Sequence, residues 1–177
     1  MTPQSVPVDR PVFVLGERTA ALELVRVLGD TPTLCAMPAN RLLSDLVHAL
    51  DRCSPDLKRL TDPAHGGLRP PTTWYREVQV ACLRGSGKIR TVEYSALSVL
   101  RLCELFPGAQ FLVVRQLKRA MHPSRRLPAP ELGRILEIDS QSATTAGTLE
   151  RALAFLGARE PVELDLSDHK VASSALT

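Results

Sequence analysis

Short apolar runs alternate along this chain with stretches whose apolar residues return every three or four positions, the pattern of strands connected by helices. Pro11-Val12-Phe13-Val14-Leu15-Gly16 is apolar, β-branched and stopped by Gly, which predicts a strand buried on both faces. Thr19 to Leu28 then carries apolar residues at 21, 22, 24, 25 and 28, a helical spacing, with Gly29 where a C-cap belongs. Thr31 to Met37 reads as a second short strand. Asn40 is placed to cap a helix whose face is Leu42, Leu43, Leu46, Val47 and Leu50. From Ser54 to Thr73 the pattern dissolves into Pro, Gly, Asp and Thr, as in a loop or lid. Trp74 to Leu83 reads as a helix and Ile89 to Tyr94 as a strand. Ser95 is placed to cap a helix through Phe106 with Ala96, Val99, Leu100, Cys103 and Phe106 on one face. Pro107-Gly108 ends it. Gln110 to Arg115 is the clearest strand, apolar until a charge appears at its carboxyl end. Residues 116 to 133 are basic and punctuated by Pro. Arg134 to Ile138, ending in Asp139, is another strand, and Thr145 to Leu156 an amphipathic helix capped by Gly157.

Strands separated by helices imply βαβ crossovers, hence a three-layer α/β/α fold around a parallel sheet of at least four strands. The chain reads as one domain over residues 1–177, with its core at 11–157 and polar arms at 1–10 and 159–177. Ligands of such sheets bind beyond the carboxyl ends of the strands. That rule points to the turn after Gly16, the segment after Val114, and Asp139.

Composition narrows the class without naming a reaction. At 177 residues, 44% apolar and a net charge of +3, the chain is long enough to bury a core without disulfides or metal. Of the 22 basic residues 18 are Arg, which favours bidentate contacts to carboxylate or phosphate, and also follows from a GC-rich genome. Cys35, Cys53, Cys82 and Cys103 show no C-x-x-C spacing and no zinc-finger His, so no metal site is expected. Met1 to Asp9 lacks the positive n-region and apolar h-region of a signal peptide, no apolar run approaches the ~18 residues of a membrane span, and the expectation is a cytoplasmic protein with reduced thiols.

Two segments suit anion binding. Gly16-Glu17-Arg18-Thr19-Ala20-Ala21 takes a buried strand through Gly into a helix N-terminus, aiming free amides and a helix dipole at one point. Equally, every βα unit has such a turn, and most bind nothing. Arg115 to Arg126 carries Arg115, Lys118, Arg119, Arg125 and Arg126 with His122, and no acidic residue occurs between Glu104 and Glu131. It suits a phosphate, an acidic partner or a nucleic acid backbone, or simply a solvated loop. Arg84-Gly85-Ser86-Gly87-Lys88 is not a Walker A loop, because Cys82 and Ile89 stand where Gly and Ser or Thr are required. His48, His65 and His169 form no spaced cluster. Trp74-Tyr75 beside Arg76 reads as packing ahead of base stacking.

In order, these motifs resemble the sulfotransferase family that uses 3′-phosphoadenosine 5′-phosphosulfate. Val12 to Thr19 is similar to the family's strand and phosphosulfate loop with one residue missing. Glu104-Leu105-Phe106-Pro107-Gly108-Ala109-Gln110-Phe111-Leu112-Val113-Val114-Arg115 resembles its ELFPDARF segment, and Ile135 to Gly157 its strand, acidic residue and helix ending in Phe-Leu-Gly. The resemblance covers most of residues 11–157 and implies a sulfotransferase and P-loop-like fold with that nucleotide as sulfuryl donor. It places the donor on Gly16, Arg18, Thr19, Ala20, Ala21, Arg115, Arg119 and Ser124. Arg18 would serve transfer, and Glu17, Glu93 or His122 would be the base by residue type. Departures from the pattern are Ala20 and Ala21 for Gly and Thr, Leu117 for Pro, Pro123 with Ser124 one place late, and Tyr94-Ser95-Ala96 for Lys-Thr-Pro.

Three readings stay open. One is transfer of a sulfuryl group to a small hydroxylated acceptor. The second is a catalytically inactive sulfotransferase-like binding or partner protein. The third is a basic-loop module for an acidic protein or nucleic acid. A small-molecule acceptor is expected ahead of nucleic acid, no membrane is expected, and a homodimer or partner protein is compatible with the first two.

Overall fold

The computed structural model describes residues 10–37, 41–52, 71–116 and 133–158. Its elements, in chain order, are β1 (Val12–Gly16), α1 (Arg18–Gly29), β2 (Leu34–Ala36), α2 (Leu42–Arg52), α3 (Pro71–Ser86), β3 (Arg90–Tyr94), α4 (Val99–Leu105), β4 (Gln110–Arg115), β5 (Ile135–Asp139) and α5 (Ala146–Leu156). All five strands join one parallel sheet in the order β2-β3-β1-β4-β5. The α/β class and the parallel sheet expected from the alternating pattern are therefore present, with five strands among the described residues.

The strand order also decides the layers. From β1 the chain moves outward past β3 to β2, and every later connection runs the other way. Because parallel crossovers keep one hand, that reversal puts α1 on one face and α2, α3 and α4 on the other. Alternate residues of β1 follow suit. Val12 and Val14 pack with α1 and α5, whereas Phe13 and Leu15 pack with the opposite layer. In that second core, Phe13 lies 5.1 Å from Phe106 and 6.2 Å from Phe111, and Tyr75 lies 6.3 Å from Phe106 between ring centroids. Few aromatics are available, and four of them lock α3 and α4 to β1 and β4.

Several boundaries differ from the sequence expectation, each for a local reason. Gly29 is the last residue inside α1, and Asp30 is the C-cap. Its missing side chain serves packing instead, since a Cβ there would lie 2.3 Å from that of Ala36 on β2. The strand expected over Thr31 to Met37 shrinks to β2, because the buried Thr31 turns its hydroxyl back to the carbonyl of Leu28 at 2.7 Å. Ser98, not Ser95, caps α4 by accepting from the Arg101 amide, while Ser95 Oγ accepts from the Leu97 amide. The α3 helix begins at Pro71, three residues before the expected start. It runs to Ser86, so the Arg84-Gly85-Ser86-Gly87-Lys88 segment is a helix end closed by Gly87 at φ +69°. Asn40 and most of the expected 54–73 loop lie outside the described residues.

Gly16 has no substitute. Its φ is +104°, and a Cβ would sit 1.9 Å from the carbonyl oxygen of Val114 on β4. Gly157 is also left-handed, at φ +73°, but opens on empty space. Gly16→Ala should therefore cost about 3 kcal/mol or more, against about 1 kcal/mol for Gly157→Ala. Urea denaturation of the two variants measures the contrast, and equal losses would contradict the clash at Gly16.

Candidate functional site

The turn from β1 into α1 sits at the carboxyl end of the central strand, where the order of connections reverses. The Glu17 amide donates to the Val114 carbonyl at 2.9 Å, which holds the turn against the end of β4. Glu17 is the N-cap of α1. Its carboxylate accepts from the Thr19 amide at 3.1 Å and the Ala20 amide at 2.9 Å. Those bonds, Ala20's first, hold its carboxyl below the ordinary value, which makes it a weak proton acceptor. An anion is thus already held at the two predicted amides, and it belongs to the chain itself. Ala21 is different again: its side chain is fully buried and its amide donates to the Glu17 carbonyl within the first helical turn.

Arg18 is exposed and lines a cavity of about 300 Å³ bounded by the start of α1, by α2, by Tyr75 of α3 and by the end of β3. Arg41, Asp45 and His48 stand on its α2 side, and Glu93, Tyr94 and Ser95 on its β3 side. Arg115 does not line it. It ends β4, half-exposed, and pairs with Glu137 of β5. Such a solvated pair is worth at most about 1 kcal/mol, so a phosphate can compete for the guanidinium. Arg119, His122 and Ser124 lie outside the described residues, as do His65, His169 and the rest of the basic segment. Trp74 is 48% exposed while Tyr75 is buried, and the Arg76 guanidinium covers the Phe106 ring at 5.8 Å.

The group with the most unusual surroundings is Glu93, named from the sequence only by residue type. It points from β3 into the α3 side of the sheet and is 4% exposed. One carboxylate oxygen accepts from the Tyr75 hydroxyl, and the other from Gln79 Nε2 at 2.7 Å. Tyr75 and Gln79 are four residues apart and share one face of α3. Burial raises the Glu93 carboxyl to about 7 against the opposing pull of those two donors. The same burial, with the Glu93 charge beside it, drives the Tyr75 hydroxyl well above its ordinary range, so it stays a donor. Gln79 Oε1 is buried with no hydrogen-bond partner among the described residues. A carboxyl poised near neutrality on a cavity wall is the arrangement that proton transfer needs. The available signal was a single Glu inside the otherwise half-apolar strand Thr91-Val92-Glu93-Tyr94.

Among the described residues no group of three or more His, Cys, Asp or Glu is placed to hold a metal, and no helix is long and apolar enough to cross a membrane. No protein-family model matches the chain, and no curated protein matches it either.

A carboxyl raised in the folded state adds stability at low pH, and this is lost as pH climbs from its ordinary 4.5 to about 7. The loss should amount to about 3 kcal/mol. Glu93→Gln should remove it, so the stability difference between the two proteins, measured by urea denaturation, should change by that amount between about pH 4 and about pH 8. Parallel pH profiles would show that Glu93 titrates like an exposed carboxyl.

Proposed function

We propose that the protein is a compact sulfotransferase-like enzyme that moves a sulfuryl group from 3′-phosphoadenosine 5′-phosphosulfate to a hydroxyl of a small acceptor. The observation that carries this reading is one cavity holding both Arg18, the cation the resemblance assigns to transfer, and Glu93, a buried carboxyl suited to act as base. The parallel sheet with its Gly turn after β1 supports the finer sulfotransferase and P-loop-like assignment. Glu17 serves as a stand-in for an anion at the α1 N-terminus, and it supports a fit between these amides and the donor.

Gly16, Arg18 and the amides of Thr19 and Ala20 would hold the phosphosulfate end, and Arg115 the 3′-phosphate. When bound, the donor supplies an activated sulfuryl group on a phosphate leaving group. The chain's own residues do the rest. Arg18 neutralises charge on the sulfuryl oxygens. Glu93 takes the acceptor's hydroxyl proton, and each of its oxygens keeps a free lone pair beyond the bond it already accepts. Tyr75 and Gln79 fix the carboxylate's orientation. At about 300 Å³ the cavity lies at the small end of ligand sites, which suits a metabolite-sized acceptor.

A second reading, the catalytically inactive sulfotransferase-like partner protein, is favoured by the same Glu17. Its carboxylate competes with the donor for the Thr19 and Ala20 amides. The basic-loop reading rests on residues outside the described part of the chain.

Calorimetric titration with adenosine 3′,5′-bisphosphate tests the donor assignment. Micromolar binding is expected, weakened about tenfold or more in Arg18→Ala and in Arg115→Ala, and tightened in Glu17→Ala. Absence of heat at millimolar ligand would sink the donor assignment. In an acceptor screen, turnover should rise with pH through about 7, the value set by Glu93. Glu93→Gln should lower kcat about 100-fold or more and erase that limb.

A further inference from the structure

We propose that Cys35 and Cys82 are a redox-active pair that closes a reversible disulfide between edge strand β2 and helix α3. Leu34 of β2 packs in the α1 core, so the next residue, Cys35, faces the opposite layer. On α3, Tyr75, Gln79 and Cys82 recur at helical spacing along one stripe. Tyr75 and Gln79 reach Glu93 on β3, and β3 is the neighbour of β2. The same stripe therefore brings Cys82 over β2, where Cys35 Sγ lies 3.9 Å from the Cys82 carbonyl oxygen. Both thiols are free and half-buried, so a small oxidant reaches them.

A peroxide supplies the balance. One thiolate attacks the peroxide oxygen and becomes a sulfenic acid as hydroxide leaves. The second thiol then displaces the sulfenic oxygen as water, forming the S–S bond. In total two thiols lose two electrons and two protons, and hydrogen peroxide becomes two waters. Burial, Cys35 and Glu93 push the Cys82 thiol up, which assigns Cys82 as the resolving thiol and Cys35, on the sheet edge, as the one first oxidised. The cross-link would tie down the helix that carries both donors to Glu93. It does not depend on the nature of the reaction.

The test is oxidation of the full chain with hydrogen peroxide, alkylation of remaining thiols, and peptide mapping by mass spectrometry. A Cys35–Cys82 linked peptide lighter by two hydrogens is expected, reversed by dithiothreitol and absent in Cys35→Ser and Cys82→Ser. Cys103, on α4 with its sulfur 3.9 Å from the Arg134 guanidinium, should stay outside the link. Independent over-oxidation of Cys35 and Cys82, or a link that recruits Cys53 or Cys103 in their place, overturns the proposal. As a second readout, the oxidised wild type should melt several degrees above the reduced protein, a shift lost in Cys35→Ser. An unchanged or lowered Tm would show that the pair closes only from a distorted structure, and would equally overturn it.

Discussion

A carboxyl group in the interior of a parallel sheet is tolerable only if donors meet it, and Glu93 makes that demand one strand from the centre of this fold. The donors come from α3, at Tyr75 and Gln79, so the helix must lie across β3 in a single rotation. That rotation is fixed from the other side by packing. The Tyr75 ring rests on Phe106, Phe106 on Phe13, and Phe13 on Phe111. Aromatic core and buried acid are thus two ends of one arrangement. The Gln79 oxygen, by contrast, is buried without a hydrogen-bond partner among the described residues.

The site gathers where it does because the connections leaving β1 and β3 run in opposite directions along the sheet. Gly16 lets β1 pass within reach of Val114 and turn, and the turn delivers Arg18 to the cavity that α2, α3 and β3 enclose. Two carboxylates of the chain itself meet the nearby donors. Glu17 sits on the α1 amides and Glu137 on Arg115. Both are exposed, so both can yield to a more highly charged anion.

Much of this was legible in the residues. β1, β4 and α5 announce themselves by apolar runs or by helical spacing with a terminal Gly, signals that act over a few residues and need no distant partner. The α/β class and parallel sheet follow from their alternation. Gly16 and Arg18 were readable as a turn and its cation because strand, Gly and helix adjoin in the chain. Capping was less so: Ser95 and Ser98 are both suitable, and Ser95 is diverted because its own amide donates to the Val14 carbonyl on the neighbouring strand.

What the sequence determined by itself was therefore what local periodicity carries: the strands and helices and their order along the chain. Only the tertiary structure decided which residues meet. Gly29 proved to be a contact with Ala36, and Glu93, unlike the exposed Glu17, proved to be buried. The physical reason is the same in both cases. A residue's desolvation and its partners depend on segments far away in the chain, and no spacing rule along one strand or helix contains them.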